Sequence, residues 1–304
     1  MRFTFILLIS ICANSIIASA NTPSSSHLRV VTSLHPIKLI TDEIMHGSGS
    51  SVALIPLTDS PHHFQLRPSQ MRTATKADLL IWVSNDFETG LNRVRKILPA
   101  SSHQLQLSAS LPAELLIGSK DSHDEHRDID GHIWLSPELI IVSSHIIAEK
   151  LSQLDPENAA NYQLNTQRLI SRIQQWKPQS QKRLAKDNLS PEYYLEHKFL
   201  AYFEQSFQLK HLGSLHNQHD HGSRIRSLST LHQQLQNGSQ DTTNQCLIVT
   251  QLPASSQALQ LQKQYGLKLK VVNIQGEQSH KDIIQLLDSI VNSLSDCHQA
   301  NANR

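Results

Sequence analysis

Long apolar stretches are nearly absent from this 304-residue sequence. The one marked run extends from Phe3 to Ile17, follows the cation Arg2 and precedes the small residues Ala18-Ser19-Ala20. This order is typical of a cleaved signal peptide, and the run is shorter than the ~20 residues of a membrane span. We therefore predict a signal peptide at residues 1–20, export to the periplasm, and no membrane insertion of the mature chain.

An excess of either charge is also missing. Lys and Arg total 27, Asp and Glu total 26, and the formal net charge is +1. This balance gives no electrostatic basis for binding nucleic acid or an anionic membrane. The composition therefore argues against both partner classes.

Cysteine is scarce, whereas histidine is abundant. Cys12 lies inside the N-terminal apolar run, which leaves Cys246 and Cys297 beside 18 histidines. In an exported protein these two cysteines favour a disulfide over metal ligation. Imidazole, and not thiolate, is thus the plentiful metal ligand of this chain.

Short apolar runs alternate with helical patterns along the chain. The runs predict strands at 28–32, 52–56, 79–83, 104–107, 193–196, 209–212, 246–250 and 267–272. Strands that alternate with helices indicate βαβ units and mostly parallel sheets. We predict an α/β fold of two lobes, residues 21–154 and 189–304, each with a mostly parallel sheet flanked by helices.

The segment 155–188 separates the two halves and has apolar residues at near-helical spacing. It predicts one long connecting helix, which Pro178 should kink or divide. A helical connection is stiffer than a Gly/Ser linker, so we expect limited lobe motion.

Two segments are rich in histidine. Residues 119–130 place His123 and His126 among five carboxylates, and residues 215–222 contain His216, His219 and His221. Such composition is typical of accessory metal-binding loops, although a polar loop without metal affinity fits it as well.

Three other histidines each lie where a strand or turn gives way to a helix. They are His62 in SPHHFQLRPS, His132 in DGHIWLSPE and His197 in YYLEHKFLAYFE. Ser69 and Ser136, next to prolines, are candidate caps of the helices that follow the first two. Loops at the strand ends of α/β lobes can bring distant side chains to one ligand, and three imidazoles with a fourth ligand suit tetrahedral Zn²⁺.

The segments PHHFQLRPS, ADLLIWVS, HIWLSPE and EHKFLAYFEQSF occur in this order along the chain. In these segments the sequence resembles the periplasmic zinc-uptake solute-binding proteins of ABC importers, a group that also includes manganese binders. The resemblance extends over nearly the whole mature chain and includes a terminal cysteine paired with one before a late strand. It implies a metal-type periplasmic binding protein in which His62, His132 and His197 bind the metal.

The sequence also departs from that family. Asn273 occupies the place of an aspartate in a late turn, Pro61 replaces a glutamate found in some members, and Lys198 adds a cation near the third histidine. The fourth ligand is accordingly water, Asn273 or Glu277. An all-imidazole set favours zinc over manganese, which prefers carboxylate oxygens.

Three functions are compatible with such a site. The resemblance implies a monomeric protein that captures Zn²⁺ and delivers it to a membrane permease with its ATPase. A binder of manganese or another divalent metal, or a surface adhesin on the same fold, is the first alternative. A zinc hydrolase is the second, but the sequence has no HExxH, no GxSxG and no carboxylate at short fixed spacing from the three histidines, so we predict no enzymatic activity.

Overall fold

The computed structural model describes residues 28–62, 64–118, 129–185, 191–216, 224–237 and 245–299. The predicted signal peptide, His63, and the histidines at 123, 126, 219 and 221 lie outside these ranges. The strands are β1 Val30–Thr32, β2 Ser51–Ala53, β3 Leu79–Trp82, β4 His103–Gln106, β5 Tyr193–His197, β6 Gly213–His216, β7 Cys246–Val249 and β8 Lys268–Val271. The α-helices are α1 His35–Ile44, α2 Pro68–Thr75, α3 Asn92–Arg95, α4 Leu107–Ser110, α5 Pro137–Leu154, α6 Ala159–Leu184, α7 Ala201–Phe207, α8 Arg224–Asn237, α9 Ser256–Tyr265 and α10 Ile283–Gln299.

These strands form two parallel sheets, as the alternation of strands and helices predicts. The first sheet has the order β2-β1-β3-β4 and the second has the order β6-β5-β7-β8. In each sheet the strand order reverses between the two central strands. These strands are β1 and β3 in the first sheet and β5 and β7 in the second. Open parallel sheets bind ligands in the crevice at the carboxyl ends of such strands. The predicted α/β fold with two parallel sheets is therefore confirmed.

Alternate residues of β5 enter two different apolar clusters. Tyr193 and Leu195 lie in the main core, which also contains strand residues of the first sheet, whereas Tyr194 packs with Leu215 and Leu247 in a smaller cluster. Because side chains alternate between the two faces of a strand, each face of the second sheet is buried in a separate cluster. The main core thus continues from the first sheet to the second.

The predicted connecting helix is present as α6. It runs without interruption through Pro178, so this proline does not divide the helix, and the other expected effect, a kink at Pro178, stays a prediction. Pro178 is exposed, which lets water satisfy the carbonyl group that the proline leaves unpaired. Arg172 in α6 bonds to Glu43 of α1 and to Asp282 before α10, at 2.5 and 2.7 Å. Helix α6 therefore contacts elements from both halves of the chain.

The disulfide between Cys246 and Cys297 is formed, as predicted. It joins the first residue of β7 to α10, with a Cα–Cα distance of 5.8 Å, and both residues are fully buried. In the described ranges, no helix is both long and apolar enough to cross a membrane.

Two local predictions were wrong. The strand expected at 209–212 lies instead at Gly213–His216. The cap residue of α7, Gln208, adopts the left-handed region (φ 55°), and the His211 side chain then bonds to Glu204 of that helix. Helix α2 is capped at Arg67 and not at Ser69, since Pro68 occupies the first helical position and the Gln70 side chain accepts the Arg67 N–H at 2.6 Å.

Candidate metal centre

His132 is held in one orientation by Asp130. The imidazole is 1% exposed, and its Nδ1 lies 2.7 Å from Oδ1 of Asp130, which also accepts the His132 backbone N–H at 3.0 Å. A carboxylate can only accept hydrogen bonds, so Nδ1 donates to it and Nε2 is the ring nitrogen that remains for a metal. Metal-binding histidines usually donate their second N–H in this way. The pair therefore presents Nε2 as a suitable ligand atom.

The segment that carries His132 is anchored on both sides. His132 begins the 3₁₀ turn Ile133–Leu135, and the Ser136 hydroxyl then caps α5 by accepting the Leu139 N–H at 3.2 Å. The predicted cap at Ser136 is thus confirmed. The helix cap and the buried hydrogen bond to Asp130 together fix the position of the imidazole.

His62 lies in the loop between β2 and α2, close to His132. The two ring centroids are 5.9 Å apart. Two imidazoles that share one tetrahedral zinc have ring centres roughly 5 Å apart, given Zn–N distances of about 2.0 Å. The structure thus places His62 and His132 close to the separation that one shared ion requires.

Phe87 contacts both of these imidazoles. Its ring centroid lies 4.5 Å from that of His62 and 5.0 Å from that of His132, and the side chain is buried. A Cβ atom added to Gly131 would lie 2.1 Å from carbons of the Phe87 ring, so only glycine fits beside it. Phe87 therefore fixes how closely the two histidine segments approach each other.

His197 is the last residue of β5, a central strand of the second sheet. Its ring lies 4.9 Å from that of Phe199, and its backbone is in register with His216 of β6. Its position at the carboxyl end of a central strand puts it at the crevice where open parallel sheets bind ligands.

Tyr202 connects the element after His197 with the segment before His132. Its hydroxyl accepts the Ile117 N–H at 3.1 Å and donates to the Asp130 carbonyl at 3.0 Å. Helix α7 is thereby linked to the loop that carries His132.

In the part of the chain that the structure describes, no three His, Cys, Asp or Glu side chains are arranged to hold a metal ion. The structure thus brings His62 and His132 together but does not place His197 with them as a third ligand. Ligation of one ion by all three histidines stays a prediction.

The two candidate fourth ligands lie in the turn that follows β8. The Asn273 side-chain oxygen accepts the Gln275 N–H at 3.2 Å, and Gly276 adopts a positive φ of 82° that favours glycine. Glu277 is exposed, and its carboxylate accepts a hydrogen bond from the Ser279 hydroxyl at 3.2 Å. The turn is tied to the His132 segment because Trp134 Nε1 donates to the Ile274 carbonyl at 2.7 Å.

A buried carboxyl group lies at the carboxyl end of the first sheet. Glu88 is fully buried, and its Oε2 accepts the N–H groups of Val83 and Ser84, just after β3, at 2.8 and 2.9 Å. Burial raises the pKa of Glu88 to about 7. The same carboxylate holds the loop that places Phe87, whose N–H donates to the Ser84 hydroxyl at 3.0 Å.

The supporting residues of this centre were not predicted from the sequence. Asp130 could have been predicted, since it lies two residues before His132 in the DGH segment. At this spacing a carboxylate can contact the imidazole ring. Phe87 lacks such a local signal, because its ring contacts come from distant segments. Glu88 has nearby partners in Val83 and Ser84, but no local pattern marks its carboxyl group as buried.

Comparisons with known proteins identify the family to which this chain is similar. The family described as "Zinc-uptake complex component A periplasmic" (ZnuA) matches residues 30–297. The "High-affinity zinc uptake system protein ZnuA" of Bacillus subtilis (strain 168) is 26% identical over 212 residues, covering 67% of this chain and 66% of that protein. The "Manganese ABC transporter substrate-binding lipoprotein scaA" of Streptococcus gordonii is 28% identical over 181 residues, covering 57% of each.

Solved structures support the fold. A crystal structure of ZnuA has a TM-score of 0.74 at 18% identity and covers 91% of this chain and 99% of its own. The chain spans about two thirds of the length of the Bacillus relative. Since the family matches nearly the whole described chain, this protein belongs to the ZnuA family of periplasmic zinc-uptake components.

Proposed function

We propose that this chain is the solute-binding component of an ABC importer, which captures Zn²⁺ and delivers it to a membrane permease with its ATPase. In this proposal it acts as a monomer in the periplasm after its signal peptide is removed. The lobes 21–154 and 189–304, joined by 155–188, enclose the ion, and His62, His132 and His197 bind it.

The observation that carries the proposal is the buried pair of His132 and Asp130 beside His62. The carboxylate fixes the imidazole tautomer with Nε2 available, and the ring of His62 is 5.9 Å away. Buried imidazole held by a carboxylate is the usual arrangement of a zinc ligand with its supporting group. In this proposal His197, at the end of β5, joins them when the ion is bound.

Binding is the whole function in this account, and no bond is made or broken. Only neutral imidazole binds a metal, so protons compete with zinc and affinity should fall as the pH is lowered. A hydrolase would need a free base beside the metal-bound water, and the carboxylate beside His132, that of Asp130, is already bonded to the imidazole Nδ1. Release to the permease requires only that the three histidines separate.

Manganese is the second candidate ion, since a manganese transporter component is among the relatives. Manganese favours carboxylate and other hard oxygen ligands. The carboxylate nearest to His132 is Asp130, and it is already bonded to the imidazole Nδ1. We therefore favour zinc.

The proposal is tested by titrating metal-free protein with Zn²⁺ against a chelating dye, for the wild type and for alanine variants of His62, His132 and His197. His145→Ala is the matched control, because His145 is exposed on α5. Each ligand variant should weaken binding at least as much as loss of a supporting group, about 10- to 100-fold, while the control binds as the wild type does. Equal affinity in all five proteins would refute the assignment.

We also propose that His123 and His126 form an accessory metal site outside the described residues. The loop that contains them is closed by an antiparallel bridge between Gly118 and Ile129. The double variant His123→Ala/His126→Ala should lower the number of ions bound per chain and leave the tightest site unchanged. An unchanged stoichiometry would end this part of the proposal.

A further inference from the structure

Gln275 reaches from the turn after β8 to the loop that carries His62. Its Nε2 donates to the backbone carbonyl of Asp59 at 3.0 Å, across 216 positions of sequence. Asp59 precedes His62 by three residues, and the His62 N–H donates to the Ser60 hydroxyl at 3.3 Å. The side chain of Gln275 therefore lies against the segment of the first candidate ligand.

The orientation of this amide follows from its partner. A carbonyl oxygen accepts only, so the atom that faces Asp59 must be the NH₂ group. The other amide atom, Oε1, is buried and has no hydrogen-bond partner among the described residues. An unpaired buried acceptor is costly, and a bound ion is one arrangement that would satisfy it.

The turn that holds Gln275 is also fixed to the second candidate ligand. The preceding residue, Ile274, accepts the Trp134 indole N–H at 2.7 Å, and the Trp134 ring lies 5.4 Å from the His132 ring. Gln275 is thus held between the segments of His62 and His132.

The two other candidate side-chain oxygen atoms of this turn are less suitable as metal ligands. The Asn273 side-chain oxygen already accepts the Gln275 N–H, and that bond stabilises the turn. Glu277 is exposed and accepts from Ser279. Gln275 Oε1 differs from both because it is buried and unpaired.

We infer that Gln275 Oε1 is the fourth ligand of the ion bound by the three histidines. This inference rests on the proposed function. A neutral amide oxygen adds no charge to the site, so it holds zinc less tightly than a carboxylate in the same place would. Three imidazoles and one neutral oxygen thus leave the full charge of the ion uncompensated, which favours its release to the permease.

The test compares Gln275→Leu and Gln275→Glu with the wild type. Leucine removes both the oxygen and the N–H donor, whereas glutamate keeps an oxygen and loses only the donor to Asp59. If Gln275 is a ligand, Zn²⁺ affinity falls about tenfold in Gln275→Leu and is kept or raised in Gln275→Glu. If Gln275 only fastens the turn to the loop, both variants lose affinity together, and the inference is overturned.

Two further measurements complete the experiment. The ligand-field spectrum of the Co²⁺-loaded protein should differ between wild type and Gln275→Leu, and identical spectra would exclude direct ligation. Thermal melts of the metal-free variants identify any that fail to fold, in which case Gln275→Glu alone decides. Gln153→Leu, an exposed change on α5, is the control and should bind like the wild type.

The outcome separates this inference from the proposed function. If the wild type itself binds no zinc, the proposed function fails, and the inference fails with it. If the wild type binds zinc and loses it in His132→Ala but not in Gln275→Leu, only the inference is wrong.

Discussion

The Asp130 carboxylate accepts a hydrogen bond from Nδ1 of His132 at 2.7 Å, and both side chains are buried. This contact fixes the tautomer that a metal ligand needs. Because it lies outside the set of ligands, it can be removed without removing a ligand atom.

Asp130→Ala should raise the dissociation constant for Zn²⁺ about 10- to 100-fold, since the imidazole loses the group that orients it. Asp130→Asn should have a smaller effect, because its amide oxygen still accepts from Nδ1. A chelator competition titration measures both. Asp296→Ala, a surface change on α10, is the control. If the Asp130→Ala and Asp296→Ala proteins bound Zn²⁺ with equal affinity, the role given to Asp130 would be contradicted.

Gly131→Ala should disturb the packing between the first two histidines. The new methyl group would lie 2.1 Å from carbons of the Phe87 ring, so the ring must move away from His62 and His132. We expect a loss of about 1–3 kcal/mol in the free energy of unfolding, as for other overpacked cores, together with weaker zinc binding. Urea denaturation and the titration above give the two values.

The double variant Gly131→Ala/Phe87→Leu provides the matched test of this contact. The smaller leucine side chain makes room for the methyl group, so the double variant should regain part of the stability lost in Gly131→Ala. No recovery at all would show that the contact with Phe87 is not the cause of the loss.

Replacement of both Cys246 and Cys297 by alanine should destabilise the protein. The disulfide closes a loop with a sequence separation of 51 residues between β7 and α10. Loss of such a link costs about 2–5 kcal/mol. In urea denaturation, the oxidised wild type should be more stable than both the reduced wild type and the double variant. Three equal denaturation curves would contradict a stabilising role of the disulfide.

Stability should depend on pH through Glu88. Burial raises its pKa to about 7 in the folded protein from the ordinary value of 4.5, so the folded state binds a proton that the unfolded chain has released. The free energy of unfolding of the metal-free protein should therefore fall as the pH rises from 4.5 through 7. Glu43 contributes with the same sign, since burial raises its pKa to about 7 as well.

Glu88→Gln isolates the contribution of this group. The amide keeps an oxygen for the Val83 and Ser84 N–H groups and cannot ionise. At pH 8 the variant should be more stable than the wild type by about 1–3 kcal/mol, with a shallower dependence on pH. Glu157→Gln, an exposed change, should not alter the pH dependence of the free energy of unfolding. The same pH dependence in the wild type, Glu88→Gln and Glu157→Gln would refute the role of Glu88.

Much of the fold could be predicted from the sequence because it depends on local pattern. Buried parallel strands appear as short apolar runs, and seven of the eight predicted runs overlap strands of the structure. The prediction of a strand at 209–212 failed because this segment directly follows the end of α7. There the hydrogen bond between His211 and Glu204 competes with strand formation. That contact joins residues of different elements and cannot be seen in a local pattern.

The candidate site was predictable only in part. His62 and His132 could be selected because their segments combine a turn, a proline and a histidine before a helix. Phe87 and Gln275 could not, since their roles depend on contacts with distant residues. The contact between Gln275 and Asp59 spans 216 positions, and only the folded chain brings the two together.

We propose that His132 belongs to a native zinc site. Elemental analysis of protein purified without added metal, for the wild type and for His132→Ala, tests it most directly. We expect bound zinc in the wild type and loss of that zinc in the variant. A wild type that carries manganese or no metal, or a variant that keeps its zinc, would contradict it.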